Sequence, residues 1–254
     1  MKRVYIFLLC CFILSTNVLA AEAKFNDIDG HWAESTIEKW QDSGFISGYP
    51  DGSFKPDNPV TRAELAKMLA LAFDLQDGEQ RAYTDMFDSI MYDLQEGDQF
   101  VYTDVSEGDW FYPYVEKSAR YIPVYPLVVG YDSNRPYSEN QGGEGFLPNV
   151  NALRVHVAEA LVKIKIEKEN IVVENEPSIQ EMNKEVYEVF NNDPEYFNLY
   201  GNVHGIPINV RRMNYYTWWA YKLDIMNGRP DGIFDPYGYM TRAELVTAVD
   251  RMMK

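Results

Sequence analysis

The chain has 254 residues, 46% of them hydrophobic and 15% aromatic, and a formal charge of −16. The hydrophobic share supplies a core and excludes wholesale disorder. The acidity excludes nucleic acid and anionic lipid as bulk electrostatic partners, and the length allows one or two ordinary domains.

Residues 1–20 read as an export signal. Lys2 and Arg3 open it, an apolar run covers 4–14, Ser15, Thr16 and Asn17 break the run, and Val18, Leu19 and Ala20 precede a cut. The run is well short of the roughly 20 residues a membrane span needs, so no membrane association is expected after cleavage. Cys10 and Cys11 both lie in this leader. The expected mature chain therefore has neither a disulfide framework nor a thiolate metal site. Removing Lys2 and Arg3 takes its charge to about −18.

The next element in chain order opens a repeat. A helix is expected over 31–42, with Trp32, Ile37 and Trp40 inward and Gly44 as the stop. A turn follows in Gly48-Tyr49-Pro50-Asp51-Gly52-Ser53-Phe54-Lys55-Pro56, where proline fixes φ and glycine permits positive φ. Phe54 is placed to plug the loop onto the core. Then comes Thr61-Arg62-Ala63-Glu64-Leu65, a capping box at the head of a second helix. Leu65, Met68, Leu69, Ala72 and Phe73 mark one face of that helix.

The same pattern returns without a gap as Gly228-Arg229-Pro230-Asp231-Gly232-Ile233-Phe234-Asp235-Pro236 and Thr241-Arg242-Ala243-Glu244-Leu245. Leu245, Ala248, Val249, Met252 and Met253 repeat the stripe, and residues 215–223 form its expected first helix. A worn copy lies between. Gly145-Phe146-Leu147-Pro148 is followed at the same spacing by Leu153-Arg154-Val155-His156-Val157, which keeps the arginine but replaces threonine by Leu153 and glutamate by His156. Val157, Ala160, Leu161 and Ile164 carry its stripe, and its first helix is expected over 110–120. One such unit has too little apolar surface to stand alone, whereas three packed around a common axis bury their stripes against one another.

The combination Phe25-Asn26-Asp27-Ile28-Asp29-Gly30-His31-Trp32-Ala33, then Gly48 to Pro56, then Val60-Thr61-Arg62-Ala63-Glu64 resembles the S-layer homology domain from start to finish. Tyr102-Thr103-Asp104-Val105 with Trp110 resembles the start of a second copy. The resemblance implies an all-α fold of three helix-loop-helix repeats in a pseudo-threefold bundle with loop insertions. It divides the chain into a leader (1–20), repeat one (24–73), an acidic insertion (74–100), a degenerate repeat two (101–166), an insertion with a helix over 177–190 (167–205) and repeat three (206–254). It also implies non-covalent binding to secondary cell-wall polysaccharide, often carrying pyruvate ketals. With the leader and a cysteine-free mature chain, a composition common among Gram-positive exports, the expectation is a secreted protein at the wall or surface of a Gram-positive bacterium. Repeat three lacks a clear aromatic-x-Asp-Val opening; 196–209 stand where it belongs. The resemblance also implies grooves between adjacent repeats; these departures make unequal grooves the expectation and leave open whether one is dead.

An anionic, hydroxyl-rich glycan asks for a cation fork, backbone donors and a flat aromatic face. Arg62, Arg154 and Arg242 are the candidates for the first, because guanidinium presents paired donors to a carboxylate. They sit in the first turn of their helices, mildly unfavourable for a cation but beside N–H groups suited to an anion. The competing reading is a salt bridge to an acidic residue of a neighbouring repeat. Trp32 and Trp110 are candidates to stack on sugar rings, or else are core residues. Asp27 and Asp104 either accept sugar hydroxyls or cap the first helix. Gly48, Tyr49, Gly130 and Gly228 either bring backbone close to the glycan or serve turn geometry.

No enzyme motif is present, His31, His156 and His204 are scattered, and Asp27-x-Asp29-Gly30 lacks the later ligands of a calcium loop. The expectation is a binding protein that uses no catalytic residue, metal or cofactor. The alternative is a surface structural or adaptor protein whose insertions recruit a protein partner.

Overall fold

The computed structural model of the chain describes residues 24–76, 102, 104–118, 120–123, 125–126, 144–171, 177–190, 202–203, 206–207 and 210–254. The expected leader, the 74–100 insertion beyond residue 76, Gly130 and His204 lie outside these residues.

The described chain is all-α. Its helices are α1 (Glu34–Asp42), α2 (Arg62–Ala72), α3 (Tyr112–Ser118), α4 (Arg154–Glu169), α5 (Ile179–Phe190), α6 (Val210–Lys222) and α7 (Arg242–Met252). Two-residue antiparallel ladders join β1 (Tyr125–Pro126) to β2 (Glu144–Gly145) and β3 (Asn202–Val203) to β4 (Ile206–Pro207).

Local chemistry explains the helix starts. At α2 and α7, Thr61 and Thr241 each take the N–H of a glutamate three residues on, and Glu64 and Glu244 reach back to the threonine N–H, so both capping boxes form. Leu153 heads α4 without a side-chain cap bond. Each of these helix starts is also capped from outside. The N–H groups of Arg62, Arg154 and Arg242 donate to the carbonyls of Val150, Gly238 and Asn58 at 2.9, 2.9 and 3.0 Å. Those of Ala63, Val155 and Ala243 donate to Pro148, Pro236 and Pro56. The orphan donors of a helix N-terminus are therefore spent on neighbouring loops, which corrects the expectation that these ends offer N–H groups to an anion.

Just ahead of the three helices the backbone closes a triangle. Val60 N–H donates to Met240, Met240 to Ala152 and Ala152 to Val60, each at 2.9 Å. Around it the helices pair in rotation: α3 packs on α2, α6 on α4 and α1 on α7. Phe54, Phe146 and Phe234 are fully buried beneath the loops, and the stripes of α2, α4 and α7 are buried, apart from the exposed Met253. Burial of α4 extends beyond its stripe to Arg154, Val155, His156, Ala158, Glu159 and Val162.

Candidate ligand-binding clefts

The three arginines are structural, contrary to the expectation that they reach solvent. Each runs inward and bonds across to the next segment in one pattern. Arg62 is 0% exposed; its Nε donates to the Phe146 carbonyl and its Nη2 to that of Pro123, both at 2.6 Å. Arg154 bonds the carbonyls of Phe234 at 2.7 Å and Asn227 at 3.1 Å, and Glu244 at 2.8 Å. Arg242 bonds the carbonyls of Phe54 at 2.7 Å and Ser47 at 3.1 Å, and Glu64 at 2.9 Å. Each guanidinium also lies over the phenylalanine whose carbonyl it holds, at 4.9, 5.2 and 4.5 Å from the ring centroids of Phe146, Phe234 and Phe54. A planar fork with several fixed donors suits this bridging role. Burial pushes the Glu64 carboxyl up, but donors from Thr61, Tyr49 and Arg242 outweigh it and leave it below its ordinary value. At the corresponding place the central segment has His156, whose pKa is pushed down to about 3 by burial and then by the Arg62 guanidinium.

The aspartates clamp loop backbone and do not cap a helix; Asp27 remains exposed and Asp104 is half-buried. Asp27 accepts from the N–H groups of Phe54 and Lys55, both at 2.8 Å. Asp104 accepts in the same way from Phe146 at 2.8 Å and Leu147 at 2.7 Å. These bonds hold Lys55 and Leu147 at φ of 57° and 56°, in the left-handed region. Gly48 answers a close approach: a Cβ there would lie 2.4 Å from the Phe25 ring and 2.5 Å from the Ser53 carbonyl oxygen. Tyr49 gives its hydroxyl to Glu64 at 2.8 Å and lies under Arg242 and Lys55.

The tryptophans turn outward. Trp32, expected inward with Ile37 and Trp40, is 62% exposed, and Trp110 is 57% exposed. Both stand two residues ahead of a helix, in matching Gly-x-Trp triplets. Trp32 forms one wall of an open cleft of about 520 Å³ whose other wall is the loop and first turn of α7. Gly228, Arg229, Thr241, Glu244 and Arg251 line it, and Arg154 contributes to its lining. Arg229 bonds Glu244 at 3.4 Å and the Tyr239 carbonyl at 3.2 Å, and pairs with Asp235. The cleft thus offers an aromatic face, hydroxyl and carboxylate partners for sugar hydroxyls, and two arginines at its surface. Among the described residues no three His, Cys, Asp or Glu side chains converge as metal ligands, and no helix is long and apolar enough to cross a membrane.

A sequence profile of the S-layer homology domain matches residues 24–66 and 219–246. The chain carries S-layer homology sequence. Those two stretches hold Trp32, the loop of Arg229 and the head of α7, so the matched sequence builds both walls of the cleft. Similar proteins include Cell surface glycoprotein 1 of Acetivibrio thermocellus, 41% identical over 68 residues, covering 26% of this chain and 3% of that protein. The Cellulosome-anchoring protein of the same organism is 40% identical over 48 residues, covering 19% and 11%. Exoglucanase XynX of A. thermocellus is 24% identical over 234 residues, covering 92% of this chain and 16% of that enzyme. The chain spans only a small fraction of each of these relatives.

Sequence reasoning missed Arg229, Arg251, Thr241 and Phe190. The signal for Arg229 was present, since it stands where the first S-layer homology stretch has Tyr49. Phe190 lies at the end of α5 and packs on Phe234 with ring centres 5.2 Å apart, as Phe25 packs on Phe54 at 5.2 Å and Tyr102 on Phe146 at 5.6 Å. Only the packing reveals that this ring fills the place of an opening aromatic.

Proposed function

We propose that the chain anchors a protein at a bacterial cell surface by binding wall polysaccharide non-covalently, with no catalytic step. The observation that carries this is Trp32, an indole left 62% exposed on a cleft with arginines at its rim. Burial is the ordinary fate of so large an apolar ring, and an open indole face suits the C–H surface of a sugar. Arg229 and Arg251 suit an acidic substituent such as a pyruvate ketal on a secondary polysaccharide of a Gram-positive wall. The chain's net negative charge does not oppose this, because screening over roughly 8–10 Å mutes distant carboxylates while cleft contacts are short.

The three rotated helix pairs and their repeated arginine bonds support three copies of one S-layer homology unit, with boundaries near 24–73, 101–166 and 206–254. The names of the surface glycoprotein and the anchoring protein support the surface role. Met182, Val186 and Phe190 of α5 are spent on packing, which supports a structural use for that segment over recruitment of a protein partner.

The test is co-sedimentation with purified wall sacculi. Binding is expected to intact walls, to weaken on walls lacking pyruvate, and to vanish on walls stripped of polysaccharide. A chain in which both Arg229→Ala and Arg251→Ala are made should lose the preference for pyruvylated walls. Equal sedimentation with stripped and intact walls would overturn the proposal.

A further inference from the structure

The cleft at Trp32 has a counterpart that the protein fills with its own side chains. The first and last S-layer homology stretches stay in register at a spacing of 180 residues: α1 ends at Asp42 and α6 at Lys222, and the left-handed residues Gly44, Gly52 and Lys55 match Asp224, Gly232 and Asp235. In this register the residue that matches Trp32 is Arg212, which lies inside α6 where Trp32 stands two residues ahead of α1. Trp32 and Trp110 are exposed, whereas Arg212 is 8% exposed. Its Nε donates to Oε2 of Glu159 at 2.7 Å and its Nη2 bonds Oε1, a two-pronged pair.

Glu159 is itself displaced from the pattern. Five residues after the shared arginine, α2 has Lys67 and α7 has Thr247, a residue of the Trp32 cleft, while α4 has Glu159, 2% exposed. Both walls of the α4–α6 junction have therefore changed together. Where the Trp32 cleft has an aromatic platform this junction has a cation, and the facing position holds its carboxylate, which Lys163 also reaches at 2.8 Å, so the charges are paired out of water. The same junction has lost the capping threonine to Leu153 and the helix glutamate to His156.

We infer that the chain binds glycan at two places, the cleft at Trp32 and the exposed face of Trp110, and that the third junction is permanently closed by the Arg212–Glu159 pair. This rests on the polysaccharide-binding reading and adds its valency. An unpaired charge at either position would be costly, so the pair is retained as a unit and does not open to admit a sugar. The Trp110 site lies where α3 packs on α2. There Lys67 bonds Ser47 at 3.1 Å, and its ammonium stands 5.9 Å from the centre of the Tyr114 ring. The cation that α2 presents at this junction is thus an ammonium, against guanidinium groups in the Trp32 cleft.

The experiment counts ligands. Size-fractionated fragments of wall polysaccharide, short enough to fill one cleft, are titrated into the whole chain by calorimetry and native mass spectrometry. Two fragments are expected per chain. Trp32→Ala and Trp110→Ala should each leave one, and the double variant should bind at least about tenfold more weakly at any site. Both indoles are exposed, so circular dichroism and the thermal midpoint should match the parent. Three fragments per chain, a single-tryptophan variant that still binds two, or tight binding by the double variant would overturn the inference and leave polysaccharide binding intact. No binding of fragments or sacculi by the parent would overturn both.

Discussion

The indole Nε1 of Trp40 donates to Oδ1 of Asp250 at 3.1 Å, joining α1 to α7 across 210 residues of chain. Lys39 adds its ammonium to the same oxygen, and Lys254 reaches Oδ2 at 3.1 Å. Burial pulls the Asp250 carboxyl upward, but the hydrogen bonds from Lys39, Trp40 and Lys254 outweigh it and bring it down to about 2.

A depressed carboxyl stabilises the fold above its unfolded pKa, and that stabilisation is lost as pH falls through the folded value. Asp250→Ala should therefore lower the unfolding free energy at pH 7 by about 1–3 kcal/mol. The difference from the parent should narrow as pH drops from about 4 toward 2. Urea denaturation across that range checks both statements, and a pH-independent difference would contradict the assignment.

Arginine substitutions should separate by depth. Arg242→Ala removes a buried partner of Glu64 and strands two loop carbonyls, so it should cost about 3–5 kcal/mol. Arg62→Lys should also destabilise, because one ammonium cannot reproduce a fork held by Phe146 and Pro123. Arg251→Ala, on the exposed cleft rim, should change stability by no more than about 0.5 kcal/mol. Thermal unfolding of the three variants distinguishes a structural guanidinium from one at the surface.

His156 predicts a second pH dependence, at higher pH. Its pKa of about 3 in the fold lies below the ordinary 6.5, so the unfolded chain binds the extra proton first and stability falls as pH falls below about 6.5. From pH 7 to 5 this one residue should cost about 2 kcal/mol. His156→Leu should shrink the loss over that interval by the same amount, as measured by chemical denaturation at the two pH values.

Phe190 tests whether the segment around α5 belongs to the fold. Its ring is buried against Phe234 and packs edge-on against Tyr221 at 5.3 Å. Phe190→Ala should destabilise by about 3–5 kcal/mol. Near-native stability of that variant would make the segment an appendage.

The helices were legible wherever the sequence carried both a cap and a period. Thr61, Glu64 and the apolar stripe of α2 define that helix alone, and Thr241 with Glu244 repeat it. α6 was read too short, because Val210 to Asn214 show no cap and their helix is selected by packing on α4. The first helices of the other segments were read too long at their starts, since residues 31–33 and 110–111 form turns that aim Trp32 and Trp110 outward. The direction of a side chain was the hardest thing to read. An arginine in a first helical turn looks solvent-facing by its type, yet Arg62 has carbonyl partners 61 and 84 residues away. The alternative of internal pairing was visible for Arg154 and Arg242 in the surplus of glutamate, but which glutamate depends on the rotation of one helix pair against the next.

The triangle through Val60, Ala152 and Met240 has a kinetic corollary. The triangle closes only when all three segments have met, and one side spans 180 residues of sequence. Native structure then waits for the most distant partner to arrive, which gives the chain high contact order and slow, late cooperativity.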